Sequence, residues 1–386
     1  MPEAVIVSAL RAPIGTARKG TLRDTTAFDL AHHVVSAVVG EIDASRVDDV
    51  IIAEGRYGGG VIARHAALTS GLTNVPGLAL NRHCAAGMSA VQTAAAGIRA
   101  GMQDLVIAGG VNSESTSPRS RYRVGKNEAG EDEWIDPWVS PSHPERADAP
   151  TMDMSITVGW NTAVRAGLSR EDMDAWALRS HRNAIAAIDE GRFKEEIVPI
   201  ETPHGLFAVD EHPRRDTSME RLGGLKVLHP EIEGFSITAG NASGSNDGAA
   251  ALAVASDQLG LPVLGYIRSW ASVGVDPAVT GLAPIEAITK AVAKAGISLS
   301  DVRLLEINEA FAAVPVASIR ALDLDPDSVN FSGSGCSLGH PVAATGARMI
   351  VTLVHELRRR GGGFGIAAMC AGGGMGSATV IEVPAV

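Results

Sequence analysis

The chain predicts a layered α/β fold made of two similar halves with a subdomain inserted between them, and three observations carry that expectation. Short apolar runs alternate with segments of helical periodicity along most of the length. Of the 386 residues only 4% are aromatic while 43 are glycine, so the interior is built from Ala, Val, Ile and Leu with tight backbone approaches. From about Ser113 to Gly240 the texture shifts to prolines, clustered charges and most of the tryptophans, which reads as an insertion.

The elements follow in order. Strands are expected at residues 4–7, 50–53, 78–80 and 105–108. Behind the third of these, Met88, Val91, Ala95 and Ile98 recur at spacings of three and four, giving one buried helical face that begins just after Cys84. Inside the insertion, Ser169 stands as an N-cap before Glu171 and Asp172, and Met173, Trp176 and Ala177 start a helical face. Further strands are expected at 249–255, 304–307, 366–369 and 379–381, with helices marked by Ile285, Ile288 and Val292 and by Met349, Leu353 and Leu357.

The order of parts repeats. A strand ending near Ala53 matches one ending at Asn308, and the strand and helix around Cys84 match residues 329–331, the His340 loop and its helix. The strand ending in Gly109-Gly110 matches the one ending at Cys370. We expect one half at 1–114 plus 244–265, the insertion at 115–243 and the other half at 266–386.

Composition excludes several classes. With 45% hydrophobic and 20% charged residues the chain is neither disordered nor fibrous. A net charge of −11 argues against a nucleic-acid partner. Cys84, Cys336 and Cys370 lie far apart, form no CxxC pair and suit a reducing compartment, so a cytoplasmic location is expected. Nothing at the amino terminus reads as an export or transit signal, and the uncharged run 361–381 is too rich in glycine for a membrane span.

Four segments carry candidate chemistry. Cys84, in Asn81-Arg82-His83-Cys84-Ala85-Ala86-Gly87, sits near a helix N-terminus, where the dipole and free N–H groups favour a thiolate and bind an oxyanion; a buried small hydrophobe is the equally weighted alternative. His340 lies in the Gly-rich loop 330–341 just before Pro341 and a helix, a better setting for a base than any other histidine has. Cys370 ends a strand and opens a run of three glycines, where a thiol passes protons and the glycine amides stabilise an oxyanion. Asn308, in Glu306-Ile307-Asn308-Glu309-Ala310-Phe311-Ala312, ends another strand and positions water.

Taken together, in this order and at these separations, the segments resemble the thiolase family over nearly the whole chain. The carriers are Cys84, the NEAFA stretch at 308–312, Gly339-His340-Pro341 and the CAGGG stretch at 370–374, supported by the opening residues 7–15 and by 238–250. The resemblance implies a five-layered αβαβα fold and transfer of an acyl group between the sulfur of coenzyme A and carbon, through an acyl-cysteine on Cys84. It implies that His340 helps deprotonate Cys84 and that Cys370 is the acid/base at the α-carbon, a thiol whose pKa is tuned towards neutrality. One oxyanion falls to the His340 ring and a water on Asn308, the other to the backbone N–H groups of Cys84 and Gly372.

For the substrate, the resemblance assigns Arg214 to the adenine or phosphates of CoA, Ser243 to pantetheine, and Met154, Ala310 and Phe311 to the thioester end. CoA and acyl-CoA are substrates; no cofactor, metal or nucleic acid is implied, and a homodimer or homotetramer is. Arg119, Arg121, Arg123 and Lys126 read better as a solvated loop than as a phosphate site. Departures from the family pattern are Ala86 in place of Ser, Asp153 in place of a His, Thr280 in place of a Met, and Met154-Ser155-Ile156-Thr157-Val158-Gly159 where MGxTAE is familiar. A ketoacyl synthase-like condensing enzyme and a non-catalytic CoA-binding partner subunit are the alternatives; the first uses paired histidines, and the second leaves the four reactive side chains without a task.

Overall fold

The computed structural model describes residues 2–55 and 59–385. The first half comprises β1 (Ala4–Arg11), β2 (Gly15–Thr16), α1 (Ala27–Val39), β3 (Asp49–Ala53), α2 (Ile62–Thr69), β4 (Gly77–Leu80), α3 (Ala86–Arg99) and β5 (Leu105–Ser113). The intervening stretch holds the hairpin β6 (Tyr122–Lys126) and β7 (Asp132–Ile135), the helices α4 (Asn161–Arg165) and α5 (Arg170–Asp189), the hairpin β8 (Ile200–Thr202) and β9 (Gly205–Phe207), and α6 (Met219–Gly223). After it come β10 (Asn246–Ser256), β11 (Gly265–Gly274), α7 (Ala283–Ala295), β12 (Val302–Ile307), α8 (Ala313–Leu322), α9 (Thr345–Arg359), β13 (Gly363–Ala371) and β14 (Met375–Val383). Among the described residues no helix is long and apolar enough to cross a membrane.

The large sheet runs β12-β13-β14-β11-β1-β10-β5-β3-β4, and its two portions have matching pairings. In the first, β10 is antiparallel to β1 and β5, and β5, β3 and β4 run parallel. In the second, β14 is antiparallel to β11 and β13, and β13 runs parallel to β12. Only Val5 opposite Tyr266 and Ile6 opposite Gly265 join the two portions, so the sheet folds over at that seam.

Strand alternation sorts side chains into layers. Ala250, Leu252 and Val254 of β10 face the core around α3 and α9, while Ala249, Ala251 and Ala253 face the one around α1 and α2. On β13, Ala367 and Met369 join the same central core, while Ile366, Ala368 and Cys370 face the core around α7 and α8. The order is helices, sheet, the central α3 and α9, sheet, helices: the expected five layers. The Ser169 cap of α5 also forms as expected, a full capping box with Asp172.

One expected strand fails. Residues 329–331 contribute only an isolated parallel bridge between Leu305 and Val329. Asn330 adopts φ +51°, and its carboxamide accepts from Ile307 N–H and donates to Ile307 C=O, both at 2.8 Å, so a side chain takes over the ladder at the end of β12. Elsewhere the insertion is fastened by a buried ion cluster: Arg11 of β1 donates to Glu196 at 2.6 Å and pairs with both oxygens of Asp210 at 2.8 and 2.9 Å. Losing one member of such a cluster costs about 3–5 kcal/mol, because its partner stays buried and unpaired.

Candidate active site

Cys84 is delivered by a short turn between β4 and α3. Asn81 Oδ1 accepts the His83 N–H at 2.7 Å, His83 takes φ +47°, and the helix starts two residues after Cys84. The backbone N–H groups of Gly372 and of Cys84 itself favour the thiolate form of Cys84. Burial outweighs both and pushes this thiol up, so the expectation of a helix-end thiolate is corrected: at rest Cys84 is a thiol.

His340 is held at two points. Its backbone N–H donates to Asn246 Oδ1 at 3.0 Å, and its Nδ1 lies 2.7 Å from Thr345 Oγ1, whose own proton goes to the Pro341 carbonyl at 2.9 Å. With the hydroxyl proton committed there, Nδ1–H must donate and Nε2 carries the lone pair. Nε2 is buried with no hydrogen-bond partner among the described residues. Burial, reinforced by the charge of Arg348, lowers the ring pKa to about 4, so the imidazole is neutral at neutral pH. Gly339, at φ +102°, makes the approach: a Cβ there would meet the Asn246 carboxamide at 2.4 Å.

Cys370 lies near the end of β13, opposite Gly376. Its thiol is pushed far up by burial and then by the neighbouring Cys84, which would repel a second thiolate, and this corrects the expected tuning towards neutrality. A neutral thiol in that setting is a proton donor first. Asn308 follows β12 directly, with its N–H bonded to the Ala368 carbonyl at 3.0 Å. It is fully buried, and both ends of its carboxamide lack a hydrogen-bond partner among the described residues.

These groups meet because α3 and α9 approach at glycine. A Cβ on Gly87, the second residue of α3, would meet the Ala343 carbonyl at 2.6 Å; one on Gly346, the second residue of α9, would meet the Met88 nitrogen at 2.5 Å. At this crossing Cys84, His340, Cys370 and Gly372 line one cavity of about 220 Å³. Met154, Ser243, Ala310 and Phe311 line it too, so the structure gathers eight of the ten expected site residues.

Asn308 is not on that wall. Arg214 lines a separate cavity of about 530 Å³ with His181 and His212, and this larger space shares Ser243 and Gly244 with the first. Burial, followed by neighbouring positive groups, lowers both histidines to about 4 and leaves them neutral beside the arginine. The Arg119 group behaves as a solvated loop: Arg119 pairs with Asp136, Arg123 with Asp132, and Arg121 covers the Trp134 ring.

Sequence reasoning missed Thr345, Asn246 and Glu309. Thr345 carried a faint signal, a hydroxyl on the first turn of the helix behind His340. Glu309 accepts from Trp176 and Asn330 at 2.8 Å, Ser180 at 2.6 Å and Cys336 N–H at 3.1 Å, pinning the turn after Asn308 to α5 and to the His340 loop. No spacing in the sequence announces such a hub.

Two family models cover the chain: the thiolase N-terminal domain matches residues 4–258 and the thiolase C-terminal domain residues 261–383. A probable acetyl-CoA acetyltransferase of Escherichia coli is 41% identical over 99% of each chain. A 3-ketoacyl-CoA thiolase of Bacillus subtilis is 38% identical, covering 99% of this chain and 100% of its own. Among solved structures, human mitochondrial 3-ketoacyl-CoA thiolase in complex with CoA superposes with a TM-score of 0.91 at 35% identity, over 99% of this chain and 98% of that one. With both domain models, full-length relatives and the layered fold in agreement, the chain belongs to the thiolase family.

Proposed function

We propose that the protein is an acyl-CoA:acetyl-CoA C-acyltransferase that makes or cleaves 3-ketoacyl-CoA through an acyl-cysteine on Cys84. One observation carries this reading: two cysteines and an unpartnered histidine nitrogen line a single cavity that continues into the one holding Arg214.

In the cleaving direction His340 Nε2 accepts the Cys84 proton as the sulfur attacks the keto carbon. The resulting oxyanion sits on the N–H groups of Cys84 and Gly372. The carbon–carbon bond breaks, its electrons pass to the acetyl-CoA enolate, and Cys370 returns a proton to the α-carbon. The enolate oxygen is held by the His340 ring and by a water on the Asn308 carboxamide. CoA thiol then gives its proton to Cys370, attacks the acyl-cysteine and frees Cys84. Synthesis runs the same steps in reverse.

Cys84 and His340 start as a neutral pair, so the proton moves when an electrophile arrives rather than beforehand. The 530 Å³ cavity fits the long arm of CoA: Arg214 offers charge for the nucleotide end, and Ser243 stands where the two cavities meet. We further propose a homodimer or homotetramer acting in the cytoplasm. The division into 1–114 with 244–265, 115–243 and 266–386 stands as the proposed domain scheme.

The test is thiolysis of a 3-ketoacyl-CoA series from acetoacetyl upwards with free CoA, beside Cys84→Ala and Cys370→Ala. Turnover by the wild type that either substitution abolishes supports the reading. A folded, CoA-binding wild type that cleaves none of the series overturns it.

A further inference from the structure

A second cavity, of about 320 Å³, also opens on Cys84, Gly372 and Met154. It shares no lining residue with the cavity of Arg214, so two arms leave the sulfur by different routes. If CoA fills one, the acyl group bound to Cys84 has the other. Most of its exposed wall is apolar, from Val139, Met152, Met154 and Val342, but His83, Asn81, Ser140, Ser142 and Thr151 stand among them.

Several of these groups are already committed. Asn81 donates to the Gly55 carbonyl and accepts from His83 N–H, and the Thr151 hydroxyl donates to Glu145. Others retain capacity. His143 Nε2 must donate to the Ala149 carbonyl, so its Nδ1 accepts the Ser142 proton and leaves the Ser142 oxygen with free lone pairs. The half-buried His83 ring makes no hydrogen bond among the described residues. Burial lowers its pKa and keeps it neutral, with one donor and one acceptor.

Building on the thiolase reading, we propose that this arm selects short acyl groups carrying a neutral hydrogen-bonding substituent, a hydroxyl or keto oxygen, and that His83 determines the preference. A plain alkyl chain would cover the His83 ring without pairing it, whereas a hydroxyl pairs with the ring nitrogen it meets, as donor or as acceptor. Glu114 lies on the same wall with its carboxylate 3.5 Å from Arg18, and burying a full carboxylate charge in this arm costs more than burying a neutral hydroxyl.

The experiment compares kcat/KM for thiolysis of 3-ketohexanoyl-CoA, its 6-hydroxy analogue and 3-ketoadipyl-CoA, with acetoacetyl-CoA as reference. The hydroxylated substrate is expected to exceed the alkyl one by about tenfold, with the carboxylated one lowest. Because His83 has positive φ, the readout is the ratio between substrates within each variant. In His83→Leu the ratio falls to about one; His83→Asn, which keeps a donor and an acceptor and tolerates that φ, retains most of it. A wild type that cleaves acetoacetyl-CoA but prefers the alkyl or the carboxylated chain overturns the inference and leaves the thiolase reading intact. A ratio unmoved in His83→Leu removes His83 from the role. No cleavage of any substrate, the reference included, brings down both readings.

Discussion

The turn before α3 and the loop before α9 occupy equivalent places in the two halves, yet they deliver their reactive atoms by different means. The first is short and uses backbone: an Asn81 turn and a positive φ at His83 leave Cys84 half-buried beside two N–H groups. The second is long and uses side chains, with Asn246, Thr345 and Asn330 each taking a backbone or ring partner around a nearly buried His340. In the proposed mechanism a repeated architecture thus supplies the sulfur from one half and the base and second thiol from the other, so the proposed chemistry exists where the halves meet.

That division predicts where damage is greatest. His340→Ala removes the unpartnered histidine nitrogen from the cavity shared by Cys84 and Cys370 and is expected to lower kcat by about 10³-fold while CoA affinity changes little. Pre-steady-state acylation of Cys84 is the measurement. Near-normal acylation would show that the first half activates its own sulfur and would break the comparison.

The helix crossing comes next. Gly346→Ala places a Cβ against backbone that cannot swing aside, as does Gly87→Ala from the other helix. Each is expected to cost about 3 kcal/mol in denaturant unfolding. Gly223→Ala, in α6 with open space around it, is the control and is expected to be neutral or stabilising by up to about 1 kcal/mol. A large loss from one glycine of the crossing but not its counterpart would mean that the two halves do not share this contact equally.

A smaller effect separates positioning from chemistry. Thr345→Val removes the oxygen that accepts from Nδ1 and frees the ring to take either tautomer. We expect kcat to fall about tenfold with KM nearly unchanged, and Thr345→Ser to restore it. A drop confined to KM would place Thr345 in substrate binding instead.

Much of this was legible in the sequence because strands, helix faces and Gly-rich turns are local. The apolar spacing of Met88, Val91, Ala95 and Ile98 announces α3, and the glycines around His340 announce a close approach. What stayed hidden depends on atoms distant in the chain. The protonation state of Cys84 turns on burial by elements from both halves, which defeats the local dipole argument. The tautomer of His340 turns on the Thr345 proton going to the Pro341 carbonyl rather than to Nδ1. Asn330 reads as part of a strand until its φ shows the side chain replacing the ladder.

The smallest expected effect concerns pH, and it sharpens the contrast between the loops. An ordinary histidine base loses its neutral form as pH falls through about 6.5. His340 has its pKa lowered to about 4, so its lone pair survives to the lower value. In kcat/KM, which reports the free enzyme, the acid limb should lie below pH 5, and between pH 7 and 5.5 the value should change less than about twofold. His181 and His212 also stay neutral over that range, so the protein wall beside Arg214 keeps its charge and adds no limb of its own. A limb centred near 6.5 would mean that the His340 loop opens to water in solution. It would then be the second half, and not the first, that presents its reactive group loosely.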